Sequence, residues 1–240
     1  MKTIPLFKTL ILGMATAASV NVRAAGQSTK QPVRMVIVGD STVCDYPTNN
    51  PARGWGMFIQ NYFDDDLKVI NLARAGRSTK TFITEGLWAG ALKEKPDYVL
   101  IQFGHNDSHD PSLPDATDAN TAYKEYLRQY IDDSRAAGAK PVLVTPMCRR
   151  IFAADGKLDD ALLPYANAMK EVAAEKKVPL VDLHTTSAKL FEQLGPDGSK
   201  KLADKPGDQT HFNGKGAASM AELVMKELPT AEPALKQHLK

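Results

Sequence analysis

The chain has 240 residues, 43% of them hydrophobic, which is enough for one sizeable core and most simply for one domain. Thirty basic residues are interleaved with 28 acidic ones, leaving a formal net charge of +2 and no long basic block, so nucleic acid is disfavoured as a partner.

The opening residues differ in kind from the rest. Lys2 and Lys8 mark a basic start, Leu10 to Val20 is apolar and small, and Val22-Arg23-Ala24 offers the small residues that a signal peptidase reads. Residues 1–24 are therefore expected to be a cleaved secretory signal and 25–240 a single mature domain, periplasmic or extracellular. A membrane anchor is the alternative, disfavoured because the apolar run is shorter than the ~20 residues that a span requires. No other stretch approaches that length, so no membrane association is expected of the mature form. Export would permit the two cysteines, Cys44 and Cys148, to pair; two free thiols is the competing expectation.

In chain order, Val33 to Val38 is a β-branched apolar run that stops at Gly39-Asp40-Ser41-Thr42, a buried strand ending in a tight turn with a hydroxyl near its tip. A polar loop follows, then a short helix over 55–63 and a second strand over 67–72 that runs into Ala73-Arg74-Ala75-Gly76-Arg77. A helix is expected over 85–95, a strand over 98–102 and then Phe103-Gly104-His105-Asn106-Asp107. From Ala119 the apolar positions recur on one helical face until Gly138, a natural stop. A fourth strand spans 141–145, and Pro164 suits the first turn of the next helix. A fifth strand, 179–183, leads to a short helix and a polar loop over 195–208. His211-Phe212-Asn213 then precedes a last helix, 214 to about 226. Five β-α repeats imply a parallel sheet with right-handed crossovers, hence a three-layer α/β/α sandwich with a five-stranded parallel sheet and flavodoxin-like winding.

Open α/β sheets place their chemistry at such strand ends. A serine there needs a base, a group that orients the base, and donors for an oxyanion. Asp208-Gln209-Thr210-His211 supplies a carboxylate three residues before an imidazole, a spacing that lets Asp208 hold His211 Nδ1–H while Nε2 faces Ser41. Gly76 allows close backbone approach to a substrate oxygen, and Asn106 could donate its side-chain amide to the same oxygen, each standing against simple turn chemistry. A phosphate loop is disfavoured because neither a Gly-x-x-x-x-Gly-Lys-Ser/Thr nor a Gly-x-Gly-x-x-Gly occurs after a strand. Val43 removes the Gly-x-Ser-x-Gly elbow of α/β-hydrolases. His105, Asp107, His109 and Asp110 cluster as metal ligands do, but the further ligand pairs that such a site needs are missing, so no metal is expected.

Ser41 in Gly-Asp-Ser-Thr, Gly76 in Ala-Gly-Arg-Ser, Asn106 in Gly-His-Asn-Asp and the Asp208/His211 pair resemble, in order and spacing, the blocks of the SGNH (GDSL-type) hydrolases. Gly54-Trp-Gly, Asn71-Leu-Ala-Arg-Ala-Gly-Arg-Ser, Gln102-Phe-Gly-His-Asn-Asp, Thr145-Pro-Met-Cys-Arg-Arg-Ile-Phe and Asp208-Gln-Thr-His-Phe-Asn are similar to the rhamnogalacturonan acetylesterase branch of carbohydrate esterases. The resemblance spans roughly residues 34 to 226. It implies Ser41 as nucleophile, His211 as base, Asp208 as its orienter, and an oxyanion hole of the Ser41 and Gly76 amides with the Asn106 side chain. It also implies no cofactor and, as substrate, an acetylated plant cell-wall polysaccharide or oligosaccharide, rhamnogalacturonan (pectin) foremost.

Around this site Arg53, Arg77, Arg149 and Arg150 could grip a uronate carboxylate, Trp55 could stack on a sugar and His105 could touch it; structural hydrogen bonds and core packing are the competing readings. Asp182 and His184 are read as structural. The alternatives for the whole chain are a GDSL-type lipase or thioesterase and, from a different class, a non-catalytic carbohydrate-binding protein on this scaffold.

Overall fold

In the computed structural model, which describes Met1 and residues 31–240, the first strand is an inner strand of the sheet. Apart from Met1, the expected signal, 1–24, lies outside the described residues. Strand β1 (Val33–Gly39) pairs in parallel with β2 (Leu67–Asn71) on one side and β3 (Tyr98–Gln102) on the other, with Val36 opposite Ile70 and Val99. β4 (Lys140–Val144) and β5 (Leu180–Val181) complete a five-stranded parallel sheet of order β2-β1-β3-β4-β5. This is the flavodoxin-like winding expected from the β-α alternation. The chain reverses direction across the sheet between β1 and β3, and the crevice at that reversal lies at the carboxyl end of β1, where Ser41 sits.

Burial on both faces explains why β1 reads as an unbroken apolar run rather than an alternating one. Met35 and Ile37 face a core shared with Trp55, Phe63, Phe191, Met220 and Val224, while Val36 and Val38 face a second core with Phe82, Trp88, Tyr123, Tyr130 and Met169. The first core is covered by a 3-10 turn (Trp55–Tyr62) and by the two C-terminal helices. The second is covered by α1 (Thr79–Thr84), α2 (Leu87–Lys93), α3 (Ala122–Ala136) and α4 (Leu163–Lys176). Helix α5 (Leu183–Lys200), α6 (Gly214–Ala231) and a final 3-10 turn close the chain. Among the described residues no helix is long and apolar enough to cross a membrane.

Four elements differ from expectation, each for a local reason. The helix expected over 85–95 is α2, and a short helix that was not expected, α1, precedes it. Ser78 and Thr81 form a reciprocal capping box that starts α1, and Gly86, at φ +79, turns the chain before α2. β5 is only two residues long because the Asp182 side chain already caps the next helix, accepting from Thr185 N. That helix runs on to Lys200, with a break at Gly195 (φ 64, ψ 179) after which Pro196 opens a new helical turn. The last helix extends past Lys226 to Ala231, keeping Leu228 buried in the core and carrying Pro229 in its final turns.

The turn after β1 is clasped by Gly54-Trp55-Gly56. Trp55 N donates to Thr42 O and Gly56 N to Val43 O, and a Cβ at residue 54 would stand 2.3 Å from the Cys44 carbonyl oxygen. Nothing larger than glycine fits there without moving the turn that carries Ser41. Gly54→Ala is therefore expected to lower stability by about 1–3 kcal/mol, the usual cost of overpacking, read as a lower urea midpoint at unchanged slope. An unchanged midpoint would show that the turn yields freely.

Candidate active site

Ser41 is held from three sides. The Asp40 carboxylate, fully buried, accepts from Thr42 N (2.9 Å) and Thr42 Oγ1 (2.7 Å), and its other oxygen meets His105 Nδ1 at 3.3 Å. Burial pushes the Asp40 carboxyl up, but His105 and the two Thr42 donors outweigh it, so its pKa lies below the ordinary value. Gln102, the last residue of β3, donates to Thr42 Oγ1 at 2.9 Å while accepting from Trp55 Nε1 at 2.7 Å. Asn71, the last residue of β2, donates to Val43 O, and Tyr46 Oη donates to Ser41 O. Each strand neighbouring β1 thus ends in an amide side chain spent on this one turn.

The carboxylate and imidazole arrive from the loop before α6. His211 Nε2 lies 2.9 Å from Ser41 Oγ, and His211 Nδ1 lies 3.0 Å from Asp208 Oδ2. The remaining Asp208 oxygen accepts the backbone N–H of Thr210 (2.7 Å) and of His211 (2.6 Å), which fixes the carboxylate by its own loop. Burial raises the Asp208 pKa, but the hydrogen bonds from the His211 side chain and from both amides more than offset this, and the carboxyl is held below its ordinary value. Asp208 is an acceptor toward Nδ1, so the neutral imidazole carries its proton there and presents the Nε2 lone pair to the serine hydroxyl.

On the other side of Ser41, Asn106 Nδ2 donates one hydrogen to Arg77 O at 2.9 Å, which leaves the second hydrogen of that amide unspent. The carbonyl that orients it belongs to the residue after Gly76. Gly76 has φ +76 with open space where a Cβ would stand, so its backbone conformation, not its surroundings, calls for glycine. Asp107 fastens the Asn106 loop from below: it accepts from Thr79 N, Thr79 Oγ1 and Thr117 Oγ1, and burial pushes its pKa up to about 6. The Asp107 carboxyl is a scaffold, committed to three donors rather than held open for a metal.

The residues expected to grip substrate are placed differently. Trp55 is fully buried and part of the core, so it stacks on no sugar. His105 is 3% exposed and faces Asp40. Arg53 spends its guanidinium on the carbonyls of Thr48, Asn50 and Ala52 in its own loop, and Arg77 is paired with Glu85 and with Ala75 O. Arg149, half-buried, donates to His105 O at 2.9 Å and so ties the loop after β4 to the loop after β3. Loop carbonyls and the Glu85 carboxylate take most of these donors.

Arg150 is the supporting residue whose part was not legible in the sequence. Its side chain is 2% exposed; Nη2 donates to the carbonyls of Asp208 (3.2 Å) and His211 (2.6 Å), and the guanidinium lies 4.3 Å over the Phe212 ring. Burial lowers its pKa to about 10, against the pull of Asp208 and Asp204, so it stays charged at neutral pH. The cysteines are two free buried thiols; Asp182 caps α5, and His184 Nδ1 lies 2.9 Å from Pro146 O.

The model of the GDSL-like lipase/acylhydrolase family matches residues 37–218. A rhamnogalacturonan acetylesterase of Bacillus subtilis (strain 168) is 36% identical over 225 residues, which is 88% of this chain and 95% of that protein. A second protein of the same strain, named a probable rhamnogalacturonan acetylesterase, is 37% identical over 211 residues, 84% of this chain and 97% of its own length. Among solved structures, Bacillus subtilis YxiM superposes with a TM-score of 0.74 at 29% identity, covering 83% of this chain and 57% of that one. An acetylxylan esterase from Geobacillus stearothermophilus reaches 0.64 at 17% identity over 82% and 94%, a likeness of fold alone. From the second half of β1 to the start of α6, through every residue that surrounds Ser41, the chain belongs to the GDSL-like lipase/acylhydrolase family.

Proposed function

We propose that this protein is an exported serine esterase that removes acetyl groups from an acetylated plant cell-wall polysaccharide, rhamnogalacturonan foremost. The observation that carries the reading is the chain of contacts from Ser41 Oγ to His211 Nε2 at 2.9 Å and from His211 Nδ1 to Asp208 Oδ2 at 3.0 Å. A carbohydrate-binding protein would have no use for that alignment. The relatives named rhamnogalacturonan acetylesterases, matched over nearly their whole lengths, support the choice of acetyl group and polymer.

In the reaction His211 Nε2 takes the Ser41 proton as Oγ attacks the acetyl carbonyl. Asp208 keeps the ring oriented and stabilises the imidazolium. Negative charge that develops on the carbonyl oxygen is met by the Ser41 and Gly76 amides and by the free hydrogen of the Asn106 side chain. The imidazolium then returns its proton to the departing sugar hydroxyl. Water, deprotonated by the same histidine, attacks the acetyl-serine, and the imidazolium returns that proton to Ser41 Oγ as the acyl bond breaks and acetate leaves. No step requires a cofactor.

A polyanionic substrate is favoured by a cavity of about 770 Å³ that opens beside Asp208 and Gln209, on the loop that carries the base. Arg150, Lys200, Lys201 and Lys205 face it, against the carboxylates of Asp204 and Asp208. Lys201 and Lys205 are exposed and line this cavity, and on this reading they meet a uronate that flanks the acetylated sugar. With Arg53, Arg149 and Arg150 committed to backbone carbonyls and Arg77 paired with Glu85, these lysines are groups left to meet polymer charge.

Ser41→Ala is expected to abolish acetate release from p-nitrophenyl acetate, and Asn106→Ala to lower kcat by ~10²–10³, the cost of one oxyanion donor; activity retained by the serine variant would end the mechanism. The double change Lys201→Ala with Lys205→Ala is expected to raise KM for acetylated rhamnogalacturonan several-fold, at about 0.2–1 kcal/mol per exposed charge contact, and to flatten its salt dependence. Equal rates on neutral acetylated xylan, unaffected by the change, would move the substrate elsewhere. Export predicts a mature chain that begins at Ala25, read by mass spectrometry of protein recovered outside the cytoplasm.

A further inference from the structure

The loop between β4 and α4 carries a cluster that the esterase reaction does not use. Cys148 Sγ, a carboxylate oxygen of Asp160 and a ring nitrogen of His184 all lie within 4.8 Å of one another. Cys148 and His184 are buried, whereas the Asp160 side chain is 29% exposed, which gives the cluster one opening to solvent.

Hydrogen bonding leaves this cluster one positive charge short. His184 Nδ1 lies 2.9 Å from Pro146 O. A carbonyl only accepts, so Nδ1 carries a proton and the neutral ring has a bare lone pair at Nε2. That lone pair points at Asp160 Oδ2, an acceptor, 2.8 Å away. Asp160 Oδ1 in turn faces Cys148 Sγ at 3.8 Å. His184 Nε2 and Asp160 Oδ2 therefore meet lone pair to lone pair, with the Cys148 thiol donating to Asp160 Oδ1 or to Arg149 O beside them, and either a proton or a metal cation must lie between the imidazole and the carboxylate.

We propose that these residues form a binding site for a divalent metal ion of the zinc type, with Cys148 Sγ, His184 Nε2 and an Asp160 oxygen as ligands and the solvent side of Asp160 as the fourth position. Thiolate, imidazole and carboxylate together are the ligand set of a borderline-soft ion. Bonds of ~2.0–2.3 Å in a tetrahedron place ligand atoms about 3.3–3.6 Å apart, so the His184–Asp160 contact of 2.8 Å spreads and Cys148 Sγ, 3.8 Å from Asp160 Oδ1, draws inward on binding. The surroundings are those of an oriented site: Pro146 O fixes the histidine tautomer, Ser187 Oγ accepts Cys148 N, and Thr145 Oγ1 accepts His184 N. Uptake converts the Cys148 thiol to a thiolate and releases its proton to solvent, along with any proton shared by His184 and Asp160. The bound ion pins the loop after β4 to the first turn of α5. That same loop holds Arg150 against the carbonyls of Asp208 and His211.

The test is a titration of chelator-treated, desalted protein with Co2+, followed by displacement with Zn2+. One equivalent of cobalt is expected to produce a sulfur-to-cobalt charge-transfer band in the near ultraviolet, which zinc bleaches. Cys148→Ser removes the band, Cys44→Ser keeps it, and His184→Gln or Asp160→Asn lowers cobalt affinity by at least ~10–100-fold, the cost already seen for residues that only orient ligands. Zinc is expected to raise the Tm of the wild-type chain and not that of Asp160→Asn, whose partly exposed side chain keeps the variant foldable. A wild-type chain that gives neither band nor Tm shift is held by a proton alone and overturns the proposal, as does a band that survives Cys148→Ser.

Discussion

A carboxylate with no exposure to water stands behind the site. Burying the charge of Asp40 is costly unless donors replace its hydration, and the donors are Thr42, twice, and His105. Because Asp40 and Thr42 flank Ser41, satisfying the buried charge forces the chain between them into one tight turn and sets where the hydroxyl can point. The neighbouring strands add to the same demand. Their last residues, Asn71 and Gln102, are polar side chains at the ends of otherwise apolar segments, and both are used to hold the turn.

The parallel sheet makes this economical. Every strand ends at the same edge, so loops after β1, β2, β3 and β4 meet there without long-range folding of any single loop, and backbone carbonyls freed at strand ends accumulate in one place. Those carbonyls need donors. Arg149 serves this purpose by joining the loop after β4 to His105 O, and Arg150 does the same for the carbonyls of Asp208 and His211 on the loop before α6. A guanidinium suits the task because its planar fork reaches two acceptors at once and does not lose its charge when buried.

This is also why the sequence was more informative about chemistry than about substrate contacts. Ser41, Asp208 and His211 are legible because acyl transfer needs those residue types, and β1 is legible because a strand buried on both faces must be apolar throughout. The arginines are not legible in the same way. Whether Arg53 or Arg77 faces a sugar acid or a carbonyl of its own loop depends on where backbone oxygens end up, and no side-chain pattern records that. Trp55 was ambiguous for a related reason: a tryptophan between two glycines could be displayed or buried, and only the close approach of Gly54 to Cys44 O decides it. The two boundaries at Ser78 and Asp182 moved because these are capping side chains, whose hydrogen bonds compete with strand and turn alternatives that look equally good locally.

The loop after β4 then carries more constraint than its exposure suggests. Between Thr145 and Leu162 it crosses from the end of a buried strand to a helix on the opposite face, and its middle, Phe152 to Leu158, is a small exposed ribbon. What keeps it in register is at its two ends: Cys148 and Asp160 meeting His184, and Arg150 reaching the carbonyls beside the base. Loosening the first end would let the second move, and a shift of His211 by a fraction of an ångström is enough to spoil a 2.9 Å contact with Ser41. The position of the base is therefore set by a loop that contains neither the base nor the nucleophile, which places part of the control of this site in residues that never touch the substrate.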